Sequence, residues 1–254
     1  MSLGRLIKCI SVTALMGSSI VLAADLHDLM NQGDNAYSGG NYQPAVTIYE
    51  QIMSSGKTSA ALEYNLGNAY FKLNQIGNAI LHFERAHKLA PRDPDIRFNL
   101  NYAKLFRKDQ LDLPQRSNVV IWFENVRQYL TLNELSLITL GLWLLLIPAS
   151  LFYWIKRGRG RGKLAFYIFL SAGILFILAA GWTIDRYRII SRARIVVMAE
   201  ESEVHSAPVE SSKTLFILHE GMEGRLEEET DGWLELKLAD GKVGWIQLET
   251  VAQI

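Results

Sequence analysis

Cysteine is nearly absent from this sequence. Cys9 is the single one in 254 residues, and prolines number only six. One thiol near the start excludes an internal disulfide and a cysteine metal site. Neither sign of charge is in excess, since 26 Lys and Arg balance 26 Asp and Glu. The five histidines, at 27, 82, 87, 205 and 219, show no metal-ligand spacing. His82 and His87 are five apart and diverge on a helix, and no HExxH pattern exists. No serine sits in a nucleophile-elbow context. The run Gly158-Arg-Gly-Arg-Gly162-Lys163 lacks the hydroxyl residue of a phosphate-binding loop, because Leu164 follows it. These absences point away from an enzyme, and no cofactor or metal is expected.

Charge is also missing from two long stretches, Leu135 to Ile155 and Leu164 to Ile184. Each is 21 residues, which at a helical rise of ~1.5 Å per residue reaches about 30 Å, the thickness of a bilayer core. Tyr153, Trp154, Tyr167 and Trp182 sit near their ends, as membrane interfaces favour. Pro148 is expected to kink the first helix without ending it. The pair predicts a transmembrane hairpin, 135–155 and 164–184. Its connector, 156–163, carries five basic residues and no acid, which places it in the cytoplasm by the positive-inside rule. Residues 185–194 then read as a linker.

Residues 1–24 have the pattern of a secretory signal: Arg5 and Lys8, an apolar run from Cys9 to Ala23, and Val21-Leu-Ala23 before Ala24. An uncleaved anchor helix is the alternative. Either version exports both soluble segments and leaves the connector inside. The expected location is a bacterial inner membrane, with both soluble segments in the periplasm. Residues 25–134 carry 11 basic and 12 acidic side chains, whereas residues 195–254 carry 4 and 13. An acidic C-terminal segment is unsuited to nucleic acid.

Between Leu26 and Pro91 the chain repeats with a period of 34: Gly33 returns as Gly67, Ala45 as Ala79 and Tyr49 as Phe83. Asn65-Leu-Gly-x-x-Tyr70, Ala79-x-x-x-Phe83-x-x-Ala86 and Pro91 resemble a tetratricopeptide repeat, a helix-turn-helix unit that stacks into a solenoid. Small Gly67 and Ala79 suit a helix crossing, Tyr70 and Phe83 fill the space between helices, and Pro91 stops the second helix. The predicted domain is 25–116, with repeats at about 26–59 and 60–93 and a capping helix over 94–108. The first unit departs from the pattern at Gln32, Ala36 and Lys57.

The resemblance implies a peptide groove lined by the first helix of each unit. Its candidates are Tyr64, Asn68, Phe71 and Lys72, then Phe98, Asn99, Tyr102 and Phe106, with Met30, Asp34 and Tyr37 from unit one. Asparagine amides can hold an extended backbone and aromatic rings supply apolar contact. The alternative is that several aromatics pack against the next helix. Met30 and Tyr64 stand where a carboxylate clamp needs lysine. Residues 117–134 follow as an amphipathic helix, with Val119, Trp122, Phe123, Val126, Tyr129 and Leu130 on one face. It is expected to lie in the membrane interface or to pack under the solenoid.

From Ile195 the period becomes strand-like, with turn signals at Glu220-Gly221, Asp231-Gly232 and Asp240-Gly241. Leu234, Leu236 and Leu238 alternate onto one face. Val204-x-Ser-x-Pro208, Leu218-x-x-Gly221, Asp231-Gly-Trp-Leu-Glu-Leu236 and Asp240-Gly-x-x-Gly244-Trp-Ile246 resemble a bacterial SH3-like domain over 195–254. That resemblance implies a barrel of five or six strands and a peptide- or cell-wall-binding surface at Trp233 and Trp245. The fold class expected is therefore a multi-domain membrane protein: an α-helical tetratricopeptide solenoid, a two-helix transmembrane hairpin and a C-terminal all-β SH3-like barrel. That order of parts resembles the BatE-type proteins of the Bacteroides aerotolerance (Bat) operon family. It implies a non-enzymatic envelope scaffold beside membrane-anchored or periplasmic partners, among them von Willebrand A-domain proteins. The alternative is a peptidoglycan-binding protein acting through the SH3-like segment.

Overall fold

Helices begin at 60 and 94, and in a second series at 42 and 76, so both series advance by 34 residues. The computed structural model describes residues 26–111, 117–120, 122, 130–156 and 162–254. The expected signal, 1–24, lies outside the described residues, as do most of the basic connector and residues 121 and 123–129 of the amphipathic stretch 117–134. The chain forms two units. One combines its two flanks, up to Asp112 and from Arg194 to Ile254; the other is Leu113–Ala193.

In the first unit the helices are α1 (26–38), α2 (Tyr42–Ser54), α3 (Ala60–Lys72), α4 (Ile76–Leu89) and α5 (Pro94–Lys104). Their starts are encoded locally. The Ser59 hydroxyl accepts from the Leu62 N–H at the head of α3, and Asp93 accepts from Asp95 and Ile96 N–H with Pro94 in the first turn of α5. The repeat glycines permit close helix crossing. A Cβ on Gly67 would meet the Phe83 ring at 2.7 Å, and Gly33 lies against Tyr49 in the same way. Ala45, Ala69, Ala79 and Ala86 are fully buried beside them.

The C-terminal flank is an antiparallel sheet. Its strands are β1 (Arg194–Val197), β2 (Glu201–His205), β3 (Thr214–His219), β4 (Glu223–Thr230), β5 (Trp233–Lys237), β6 (Val243–Gln247) and β7 (Val251–Gln253). They lie in the order β3-β2-β6-β5-β4-β1-β7. Seven strands form where five or six were expected, because β7 is three residues long and too short to show alternation. Gly221, Gly232 and Gly241 have positive φ at the expected turns, and Asp231 joins Gly232 in that region. Leu234, Leu236 and Leu238 are buried on one face with Ile195, Val197, Val204, Leu218 and Ile246. Leu218 and Ile195 come from β3 and β1, far apart in the strand order, so the sheet curls over a shared core.

Strand β1 is buried on both faces. Ile195 and Val197 enter the sheet's core, while Val196, 0 % exposed, joins the core of the helices, flanked by Met198, Ala252 and Ile254. Close backbone approach accompanies this. A Cβ on Gly77 of α4 would lie 3.2 Å from the Val197 carbonyl, and the Gly77 N–H donates to Glu220 at 3.2 Å. Beside the apolar contact lies a cluster of five charges. Glu84 on α4 meets Lys104 at 2.7 Å and Arg194 at 2.9 Å. Glu223 on β4 meets Arg194 at 2.6 Å, Lys104 at 2.8 Å and Arg107 at 3.3 Å. Burial by itself would raise the Glu84 carboxyl. Lys104, the hydrogen bond shared with Glu223, and Arg194 outweigh it and bring its pKa down to about 2. Burial dominates at Glu223, and with Glu84 as neighbour its pKa is raised despite Lys104.

The second unit holds α6 (Leu132–Lys156) and α7 (Gly162–Ser191), of 25 and 30 residues. Thr131 and Glu134 form a reciprocal cap at the head of α6: Thr131 N–H donates to the Glu134 carboxylate at 2.8 Å, and Glu134 N–H to the Thr131 hydroxyl at 3.3 Å. Helix α7 continues past Ile184 through residues 185–191, the stretch read as a linker. The Thr183 hydroxyl donates to the Ala179 carbonyl, so Thr139 supplies the proton of the 2.8 Å bond between Thr139 and Thr183. Tyr153 meets Phe166 and Phe169 toward the other end, which makes the pair antiparallel. Both helices are long and apolar enough to cross a membrane, with mean hydropathy of 2.2 and 2.3 and few buried residues.

Substitution at the joint between helices and sheet tests whether the two fold together. Val196→Ala is expected to lower stability by about 1–3 kcal/mol. Helical circular dichroism and the fluorescence of the β-segment tryptophans are expected to shift together, as one cooperative unit requires; separate transitions would contradict it. As pH falls from 4.5 towards about 2, Glu84 takes up its proton and its stabilisation is lost. Glu223, with its raised pKa, acts in the opposite sense and above that window: it takes up its proton before the unfolded chain does, so its contribution grows as pH falls towards 4.5 and is complete below it. Glu223→Gln is therefore expected to remove the gain in stability on acidification from neutral pH to 4.5 while keeping the loss below it, read from urea midpoints at successive pH values.

Candidate functional site

The first helices of the repeat units bring the expected groove residues together on α3 and α5. The Asn99 side-chain amide donates to the Tyr64 hydroxyl at 2.8 Å and to the Asn68 side-chain oxygen at 2.9 Å. Phe71 lies 5.6 Å from Tyr102 and 5.2 Å from Phe106, ring centre to ring centre. Tyr102 in turn stacks on Phe98 and meets Phe106 edge-on. This cluster is not covered: Phe98 is 68 % exposed, Tyr102 45 % and Phe106 50 %. Leu105 extends it, and Lys72 is exposed on α3. Asn99 serves the framework first, because its amide links α5 to α3 through two side chains of the same groove.

Other expected positions fall to internal structure. Asp34 accepts from the Tyr49 hydroxyl at 2.7 Å and from the Asn65 amide at 2.9 Å, tying α1 to α2 and α3. Tyr64 leans on Phe83, and Tyr37 meets Tyr42 edge-on. Burial, with the hydrogen-bonded Asp34, raises the Tyr49 pKa, so its phenol stays a donor. Tyr70 donates to Glu50 and stacks on His82, whose Nδ1 lies 2.7 Å from buried Glu63. His82 is thus a core histidine.

On the sheet, Trp233 is only 8 % exposed and packs edge-on against His205, so it is a wall of the fold rather than an open surface. Trp245 is half-buried on β6. The charged cluster between helices and sheet went unforeseen, as did His219 and Asp109. The Asp109 carboxylate accepts from the His219 N–H at 2.7 Å and meets its Nδ1 at 2.8 Å. The only hint in the sequence was the run Lys104, Arg107, Lys108 ahead of a segment rich in acids. Among the described residues no cluster of His, Cys, Asp or Glu is placed to hold a metal ion.

The family model of the tetratricopeptide repeat matches residues 60–93, which are α3, α4 and their connecting turns. Repeats of this family generally mediate contacts between proteins, which points to protein partners. Comparison with curated proteins returns no match.

Truncation distinguishes framework from contact surface. Asn99→Leu removes the donor to Tyr64 and Asn68 and is expected to cost about 1–2 kcal/mol in urea unfolding. Phe98→Ala, at an exposed position, is expected to change stability by less than about 0.5 kcal/mol.

Proposed function

We propose that this protein is a non-enzymatic, membrane-anchored scaffold whose repeat groove recruits a protein partner. The observation that carries the reading is the uncovered aromatic cluster of Phe71, Phe98, Tyr102 and Phe106 on a helical repeat whose family binds proteins. Exposed aromatic clusters of this kind mark interaction surfaces, since side chains of two rotatable bonds lose little entropy on contact. The apolar hairpin supplies the anchor. A helix pair of this hydropathy, with its outward side chains exposed, has its stable environment in lipid.

The joint between helices and sheet supports the proposed topology. Segments before and after the hairpin share a core through Val196, so both belong on one side of any bilayer the hairpin crosses. The positive-inside rule applied to the basic connector supports reading that side as the exterior of the cytoplasm. The resemblance to Bat-family proteins extends the reading to an envelope complex with membrane-anchored von Willebrand A-domain partners. The reading of 195–254 as an SH3-like module that binds peptidoglycan draws less support, because Trp233 is buried.

A photo-activated crosslinker placed at Phe98 or Tyr102 of the full-length protein in intact membranes is expected to capture a discrete envelope protein. The same crosslinker at exposed Leu89 is expected not to capture it. Equal capture at all three positions, or capture only of cytoplasmic proteins, would refute the scaffold.

A further inference from the structure

The positive-inside rule accounts for the basic connector and leaves a second group of arginines unexplained. Residues 185–194 hold four arginines and one acid, at the opposite end of α7. Arg194 is matched by Glu84 at 2.9 Å and by Glu223 at 2.6 Å. Asp185 and Arg186 have partners of their own. That leaves Arg188 and Arg192, which are exposed and meet no acidic side chain among the described residues. A cation at the end of a helix offsets the helix dipole, a role that either arginine fills alone.

Depth and direction give the pair a further use. The uncharged stretch of α7 ends at Ile184, and Arg188 stands four residues on, ~6 Å along the axis. Head groups occupy about 5–8 Å on each side of the hydrocarbon. With Ile184 at the hydrocarbon edge, Arg188 is therefore level with the lipid phosphates. Helical side chains lean towards the N-terminus of their own helix, which for α7 is back over the apolar span. Arg188 thus covers Ile184, itself exposed one turn earlier on the same face. Arg192, just past the last turn, follows at the i+4 position, and exposed Tyr187 stands beside them. Two guanidinium groups in line above an apolar face match a ligand with acyl chains below and a phosphate above.

We propose that Arg188 and Arg192 bind the phosphate of an anionic phospholipid in the leaflet beside the end of α7. The proposal rests on the reading of the hairpin as a membrane anchor. A lipid is the ligand rather than free phosphate, because the apolar face that Arg188 covers has no use for an ion without acyl chains.

The test uses the full chain in nanodiscs of phosphatidylglycerol and phosphatidylcholine in equal amounts. Photo-reactive benzoylphenylalanine replaces Tyr187, and the crosslinked lipids are identified by mass spectrometry. The connector arginines precede the other end of α7 and do not enter this local ratio. Phosphatidylglycerol is expected to exceed phosphatidylcholine about fivefold to tenfold. Arg188→Gln with Arg192→Gln is expected to bring the two level, and Arg188→Lys with Arg192→Lys to keep most of the excess. Inorganic phosphate, added at constant ionic strength, is expected to leave the ratio unchanged. Equal capture of the two lipids with both arginines present, or an excess that survives the glutamine pair, would overturn the proposal and leave the anchor standing. Loss of the excess on adding phosphate would overturn it in favour of a free-phosphate site. Capture of no lipid at all would refute the anchor as well.

Discussion

Everything in the soluble part of this protein depends on a four-residue strand with no free face. Strand β1 gives Ile195 and Val197 to one core and Val196 to another, so it is structurally part of the sheet and of the helices at once. The charges beside it impose the same dependence. Glu84 is almost entirely buried, and of its two cationic partners Lys104 is on the repeat and Arg194 on the sheet. Without the C-terminal flank, Glu84 would keep a single partner and lose the packing that excludes water around it. The repeats and the sheet are therefore one folding unit, although the whole of Leu113–Ala193 separates their sequences.

That union explains which surface remains open. The sheet docks through β1, β7 and the Gly221 turn onto α4, the second helix of its repeat. Arg85 and Lys88 on α4 reach the carbonyls of Gln253 and Ile254 and extend the contact. The aromatic cluster sits on first helices, α3 and α5, and is left exposed. Two and a half repeats bury little apolar surface between themselves, and a solenoid of that length needs a cap. The sheet supplies one on the second-helix side while leaving the groove available.

Local rules made much of this legible. The 34-residue period located the starts of α3 and α5, the leucine alternation found the buried face of β5, and Gly67 marked a close helix crossing. That Tyr64, Asn68 and Phe71 on α3 would face Asn99 and Tyr102 on α5 was also readable, because spacing within a repeat fixes the face. The joint was not. A run such as Ile195-Val196-Val197 gives no sign of two-sided burial: the three are alike in hydropathy, and only tertiary contact divides them. Glu84 finds Lys104 at a separation of 20 residues and Arg194 at 110, and Arg107 reaches Glu223 across 116, beyond any periodicity. Strand β7 is too short for alternation, and α7 carries charged residues where a span was expected to stop.

The acidity of the C-terminal segment takes on a different meaning beside these contacts. Taken alone, four basic and thirteen acidic side chains suggest a cationic partner elsewhere. Yet Glu201 and Glu223 are engaged by Lys104, Arg107 and Lys108, and Glu220 receives the N–H of Gly77 at the positive end of α4. Part of the imbalance is an internal complement to a basic edge of the repeat.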